Sequence, residues 1–188
     1  RIIIMEQQES DLIQSDINNR ELCREGRLDE LKELYNINKC IEDDESLFHI
    51  ACVSDHLEMA KWLLDKIPSI NINRTFHFTC RSGKLDVAKW LLDIKPDIDL
   101  GESFYFACKL GHLDMAMWLF GIRPDNDEHQ YTFLRVCERG HLGVAKWLFE
   151  IKPNILTDNT KESLSRVYDN YRLDENIRVD IAKWLIDI

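Results

Sequence analysis

The sequence predicts an all-α fold, a helical-repeat solenoid, and three observations predict it. Cys23, Cys52, Cys80, Cys108 and Cys137 recur 29, 28, 28 and 29 residues apart. Trp62, Trp90, Trp118 and Trp147 recur at 28, 28 and 29, and Pro68, Pro96, Pro124 and Pro153 keep the same intervals. Three residues after each of these cysteines comes a turn position, held by Gly26, Asp55, Gly83, Gly111 and Gly140. A fixed period of tens of residues marks a chain built from one repeated supersecondary unit.

The unit that starts at Gly101 shows the elements in order. "ESFYFACKL" is short and largely apolar, and Gly111 after it suits a left-handed helix stop. "HLDMAMWLF" follows, with Leu113, Ala116, Leu119 and Phe120 at i, i+3, i+6 and i+7, one face of a helix. Leu85, Ala88, Leu91 and Leu92 repeat that face, and Pro96 then stops the helix and drives Ile94-Lys95 extended. Each unit therefore reads as helix, tight turn, helix, extended link. Neither helix can bury its apolar face alone, so stacked units must complete one another's core. The units fall at about 16–44, 45–72, 73–100, 101–129, 130–157 and 158–188, and residues 1–15 read as an N-terminal extension open to disorder.

The end units are weaker. Around Cys23 the first helix is polar, "DINNRELC", and Glu33 takes the tryptophan site, as a capping unit requires. Near the other end Tyr168 takes the cysteine site and Trp184 follows 16 residues later rather than 10, an insertion of six around Arg172 to Asn176. The last apolar face has no partner in the sequence, so the natural chain continues or this edge docks on something. The opening on Arg1 leaves room for a start at Met5 or an upstream truncation.

Six cysteines do not make a disulfide framework here. Packed helices lie about 8–10 Å apart, whereas a disulfide wants Cα atoms about 5.5–6 Å apart. The recurring thiols read as small buried side chains in a reducing compartment. No CxxC is present, and the repeat register does not bring metal ligands together.

"ACKLGHLDMAMWLF" resembles the ankyrin repeat, whose pattern runs TPLHxAAxxGHxxVVxxLL. His49 and His77 match the histidine of its first helix, and Gly111-His112 and Gly140-His141 match its turn, with Gly83-Lys84 and Asp55-His56 as variants. The resemblance covers about residues 16–188. The usual ankyrin period is about 33, and the five residues missing here fall where ankyrin repeats form their β-hairpin finger, which implies shortened fingers. The Thr-Pro of the pattern is also absent, with Leu47, Thr75, Ser103 and Thr132 at the proline position. The Trp-Leu-Leu and Ile-Lys-Pro-Asp-Ile style is similar to ankyrin proteins encoded by giant DNA viruses of amoebae.

Composition narrows the function. A formal charge of −10 argues against a phosphate-backbone binder, so no nucleic acid is expected. No stretch approaches the roughly 20 apolar residues of a membrane span, and Glu6, Glu9 and Asp11 leave no room for a secretory leader. A cytoplasmic monomer is expected, in the host cytosol if the chain is viral. His49 and His77 share one repeat site and His56, His112 and His141 another, with His129 off register, so the histidines do not converge on one point. No phosphate loop, nucleophile elbow or HExxH occurs. No catalytic residue, metal ligand or cofactor is assigned, and the tryptophans read as packing between repeats rather than as a ligand platform.

The informative positions are those that vary within the repeat. Just after the cysteine stand Val53-Ser54, Arg81-Ser82, Lys109-Leu110 and Glu138-Arg139, with Arg24-Glu25 in the first unit. The resemblance implies that these line a concave binding surface. Arg24, Arg81, Lys109 and Arg139 make it basic on an acidic chain, which suits an acidic or mixed protein segment. The leading expectation is a non-catalytic protein-recognition adaptor, virus-encoded and acting on a host or viral protein. Two alternatives stay open, an assembly component docking through the C-terminal edge and the targeting arm of an enzyme lying outside this chain.

Overall fold

A computed structural model describes residues 18–38, 44–124, 129–156 and 174–187. The N-terminal extension and the start of the insertion near Arg172 lie outside the described residues. Every helix or strand element among them is helical. They gather into two compact units, the first made of the described residues up to Thr79 with 84–98, the second of 80–83 with the described residues from Asp99 on.

The first unit holds α1 (residues 18–25), α2 (Leu28–Asn38), α3 (Asp44–Val53), α4 (Leu57–Lys66), α5 (Ile72–Arg81) as far as Thr79, and α6 (Leu85–Ile94). The second holds the end of α5, then α7 (Gly101–Lys109), α8 (Leu113–Ile122), α9 (His129–Glu138), α10 (Leu142–Ile151), a 3-10 turn Pro153–Ile155, and α11 (Glu175–Asp187).

Each first helix ends the same way. Gly26, Gly83, Gly111 and Gly140 have φ of 75°, 69°, 81° and 82°, and Asp55 has 73°. After α7 the amide of Gly111 donates to the Cys108 carbonyl and that of His112 to the Ala107 carbonyl, at 3.0 and 2.9 Å. That pair of bonds satisfies the last carbonyls and turns the chain straight into the next helix.

The first helices bury i, i+1, i+4 and i+5: Leu47, Phe48, Ala51 and Cys52 in α3, and Ser103, Phe104, Ala107 and Cys108 in α7. The five recurring thiols are free and buried. Burial pushes Cys23, Cys80 and Cys137 up to about 12 and raises Cys52 and Cys108 as well, which makes them unreactive. The second helices differ from the expected stripe. The buried set is Met59, Ala60 and Leu63, Val87, Ala88 and Leu91, Met115, Ala116 and Leu119, and Val144, Ala145 and Leu148. Leu85 and Leu113 are only half-buried. The helix is rotated so that a residue two places later fills the core.

The links also depart from expectation in one detail. α6 runs through Ile94, and only Lys95 beside Pro96 is extended, with φ −133° and ψ 84°. Proline then opens a tight turn, closed by Ile70 onto Ile67, Ile98 onto Lys95 and Ile155 onto Lys152. Ile70, Ile98 and Ile155 are buried, so each link plugs its unit with one branched side chain. Residues 67–71 and 95–100 carry no strand, and the fingers are short.

The tryptophans are half-buried and meet rings of the preceding repeat. In the first unit Trp62 sits edge-on to Tyr35 at 5.4 Å and Trp90 lies 6.3 Å from Phe48. In the second, Trp147 lies between Phe120 at 5.6 Å and Phe104 at 6.3 Å, and Trp184 between Phe149 at 5.9 Å and Phe133 at 6.2 Å. Edge-to-face rings at such distances add to the area they bury.

The turn histidines act across repeats too. The His56 Nε2 lies 2.9 Å from the Arg24 carbonyl, and the His112 Nε2 lies 2.8 Å from the Arg81 carbonyl. Each ring occupies the space above the preceding turn glycine: a Cβ on Gly26, Gly83 or Gly111 would meet His56, His112 or His141 at 2.5, 2.6 and 2.5 Å. Asp55 breaks the glycine rule, and one repeat later Lys84 breaks the histidine rule. Lys84 Nζ lies 3.9 Å from Asp55 Oδ2. A flexible lysine goes round the Cβ that an imidazole would strike. Lys84→His alone is expected to cost about 1–2 kcal/mol by overpacking, and to be neutral in an Asp55→Gly background. Chemical denaturation of the four variants checks this, and equal costs in both backgrounds would refute the pairing.

Candidate protein-binding surface

None of the expected site residues is buried. Val53, Ser54, Ser82, Lys109, Leu110 and Glu138 are half-buried, and Arg24, Arg81 and Arg139 are exposed. Arg24, Val53 and Ser54 belong to the first unit; Arg81, Ser82, Lys109, Leu110, Glu138 and Arg139 belong to the second.

In the second unit the structure joins the cations to rings, one helical turn earlier for Lys109 and Arg135 and on the next first helix for Arg81, which the sequence reading missed. Arg81 Cζ stands 4.4 Å from the centre of Phe106. Lys109 Nζ stands 5.1 Å from Tyr105 and 5.6 Å from Phe106. Tyr105 stacks on Tyr131 of the next repeat, with centroids 5.7 Å apart and planes 19° from parallel. Arg135 Cζ lies 4.9 Å from the Tyr131 ring, and its Nη1 donates to Glu138 at 2.7 Å. Tyr105, Phe106, Tyr131 and Arg135 thus extend the predicted set along the same helix faces. The i−3 and i−4 spacing from Lys109 and Glu138 was the available signal.

Electrostatics follow this geometry. Hydrogen bonding to Arg135, then to Tyr105, holds the Tyr131 hydroxyl below the usual phenol range, with Lys109 adding to the effect. Burial, then the bond to Tyr131, pushes Tyr105 up against the pull of Arg135 and Arg139. Cations over ring faces keep their charge while their stems lie on apolar surface. Such a surface sets positive charge beside flat apolar rings.

The first unit has a smaller counterpart. Glu45, Ser46, His49, Arg74, Thr75 and Phe78 line a pocket of about 270 Å³. His49 lies edge-on to Phe78 at 5.0 Å, and Arg74 lies 5.8 Å from the same ring. Burial, then the neighbouring Arg74, keeps the His49 imidazole neutral to lower pH than usual. This pocket is mixed in charge, whereas the surface of the second unit is mainly basic.

Among the described residues no group of His, Cys, Asp and Glu is placed to hold a metal ion. No helix among them is long and apolar enough to cross a membrane.

Comparison with known proteins agrees with the fold. The family model for ankyrin repeats, in three copies, matches residues 21–102. The crystal structure of the human ASB11 ankyrin repeat domain is similar over 71% of this chain and 68% of that one, at 22% identity and a TM-score of 0.55. No curated protein matches the chain in sequence. Ankyrin repeats serve generally as protein–protein interaction modules, and the fold is typically a non-catalytic one. Residues 21–102 thus carry recognisable ankyrin repeats, and the helical architecture of the chain is similar to that of an ankyrin repeat domain.

Proposed function

We propose that this chain is a non-catalytic adaptor that holds an acidic segment of another protein on the first-helix face of its second unit. The observation that carries this reading is the run of cations on rings, Arg81 on Phe106, Lys109 on Tyr105 and Arg135 on Tyr131, within a chain of net charge −10. Cations held by their neighbours lose little freedom on binding, which spares part of the cost of association.

Its compact repeat style supports a place among the ankyrin proteins of giant DNA viruses of amoebae, acting as a monomer on a host or viral protein in the host cytosol. Five buried free thiols suit a reducing compartment. The exposed Ile177 and Ile186 of α11 favour a second reading, docking of that helix on another chain, which concentration-dependent light scattering separates from the first.

The double variant Arg81→Glu with Lys109→Glu tests the main reading. Binding of a fluorescent acidic peptide should weaken at least tenfold, since two attractions become two repulsions. Circular dichroism should be unchanged, because both side chains project from the surface. Undiminished binding would remove this face.

A further inference from the structure

We propose that the bound segment is an acidic polyproline-II strand with carboxylates at every third position, i, i+3 and i+6. The inference rests on the adaptor reading and names the conformation and register of its ligand.

Arg81 and Lys109 end the first helices α5 and α7, and Arg135 and Arg139 lie within and just after the next one, α9. Packed helices lie about 8–10 Å apart, so a ligand running across them meets a cation at about that interval. A β-strand fits poorly. It advances about 3.3 Å per residue, so three residues span the interval, yet its side chains alternate and i and i+3 face opposite ways. A polyproline-II helix rises about 3.1 Å per residue with three residues per turn, so the same face returns about every 9.3 Å. Its carboxylates at i, i+3 and i+6 all point at the cations.

The rings support the same occupant. Tyr105 and Tyr131 are stacked nearly parallel across two repeats, at 5.7 Å, and Phe106 lies beside them under Arg81 and Lys109. Aromatic surfaces of this kind take the flat rings of proline, and a polyproline-II segment is already ordered before it binds. Tyr131 is 48% exposed, so much of its surface is open to such a contact. Single-stranded nucleic acid also combines anions with flat groups, but the charge of −10 repels a long polyanion.

The test uses the full chain and three labelled peptides of one composition, built from Glu, Pro and Ala. One carries Glu at i, i+3 and i+6, one at i, i+2 and i+4, and one has the Glu residues contiguous. A uridine decamer is the fourth probe. Fluorescence anisotropy should show the first peptide binding at least fivefold tighter than the others. Tyr131→Ala, and separately Gly in place of every Pro, should each reduce that preference to under twofold. Equal binding of the three spacings would overturn the register while leaving an acidic-segment adaptor intact. Binding of none of the peptides would overturn the adaptor reading as well. Tighter binding of the decamer than of any peptide would overturn the choice of a protein ligand.

Discussion

Gly111→Ala is expected to destabilise the second unit by about 2–4 kcal/mol, an effect out of scale with one added methyl. The residue sits at φ 81°, in the left-handed region, where a Cβ costs about 1–2 kcal/mol. The new Cβ would also lie 2.5 Å from His141 Nδ1. The ring must move, which forfeits its bond to the Lys109 backbone, worth about 1 kcal/mol, or else strain the packing around it. A double-mutant cycle separates these terms. In a His141→Ala background only the backbone term remains, so Gly111→Ala should then cost about half as much. Urea unfolding measures all four chains, and strict additivity would show that the imidazole and the glycine do not depend on each other.

Trp147→Ala is expected to cost about 2–4 kcal/mol. The indole stands edge-on to Phe120, and Phe104 beside it is only 5% exposed. Removing it strips one wall from two rings of the preceding repeat and leaves a gap that helices fixed by their turns close poorly. A half-buried indole belongs at the lower part of the range for aromatic truncations. Met117→Ala is the control. Met117 is 48% exposed and lies next to Trp118 on the outer side of α8, so its loss should stay within about 0.5 kcal/mol. If the two variants melt alike, the ladder of rings contributes nothing beyond surface covering.

Much of this architecture is legible in the spacing of a few residue types. Cysteine marks a buried site in the first helix, glycine a left-handed stop, proline the end of the second helix, and these constraints are local. Rotation of the second helix was less legible. Leu85 and Val87 are both apolar, and only the neighbours decide that Val87 is buried while Leu85 stays partly open. The histidines illustrate a third case. Their partners are a whole repeat away, so no local pattern reveals them, although the substitution of Asp55 one repeat before Lys84 was a visible trace of the contact.

The binding face divides the same way. Its cations stood out because they vary on a repeating background. Its rings did not, because "SFYFAC" reads as core throughout. Phe104 is core, while Tyr105 and Phe106 look outward, and a shift of 100° per residue is all that separates them.

Each described helix pair from α1–α2 to α9–α10 seals one thiol at its heart. An alkylating reagent under mild denaturant would therefore act as a tally of opened pairs, once peptide mapping separates Cys23, Cys52, Cys80, Cys108 and Cys137 from the sixth cysteine, Cys40. The chain carries its own graduated gauge of fraying, one notch for each of these five pairs.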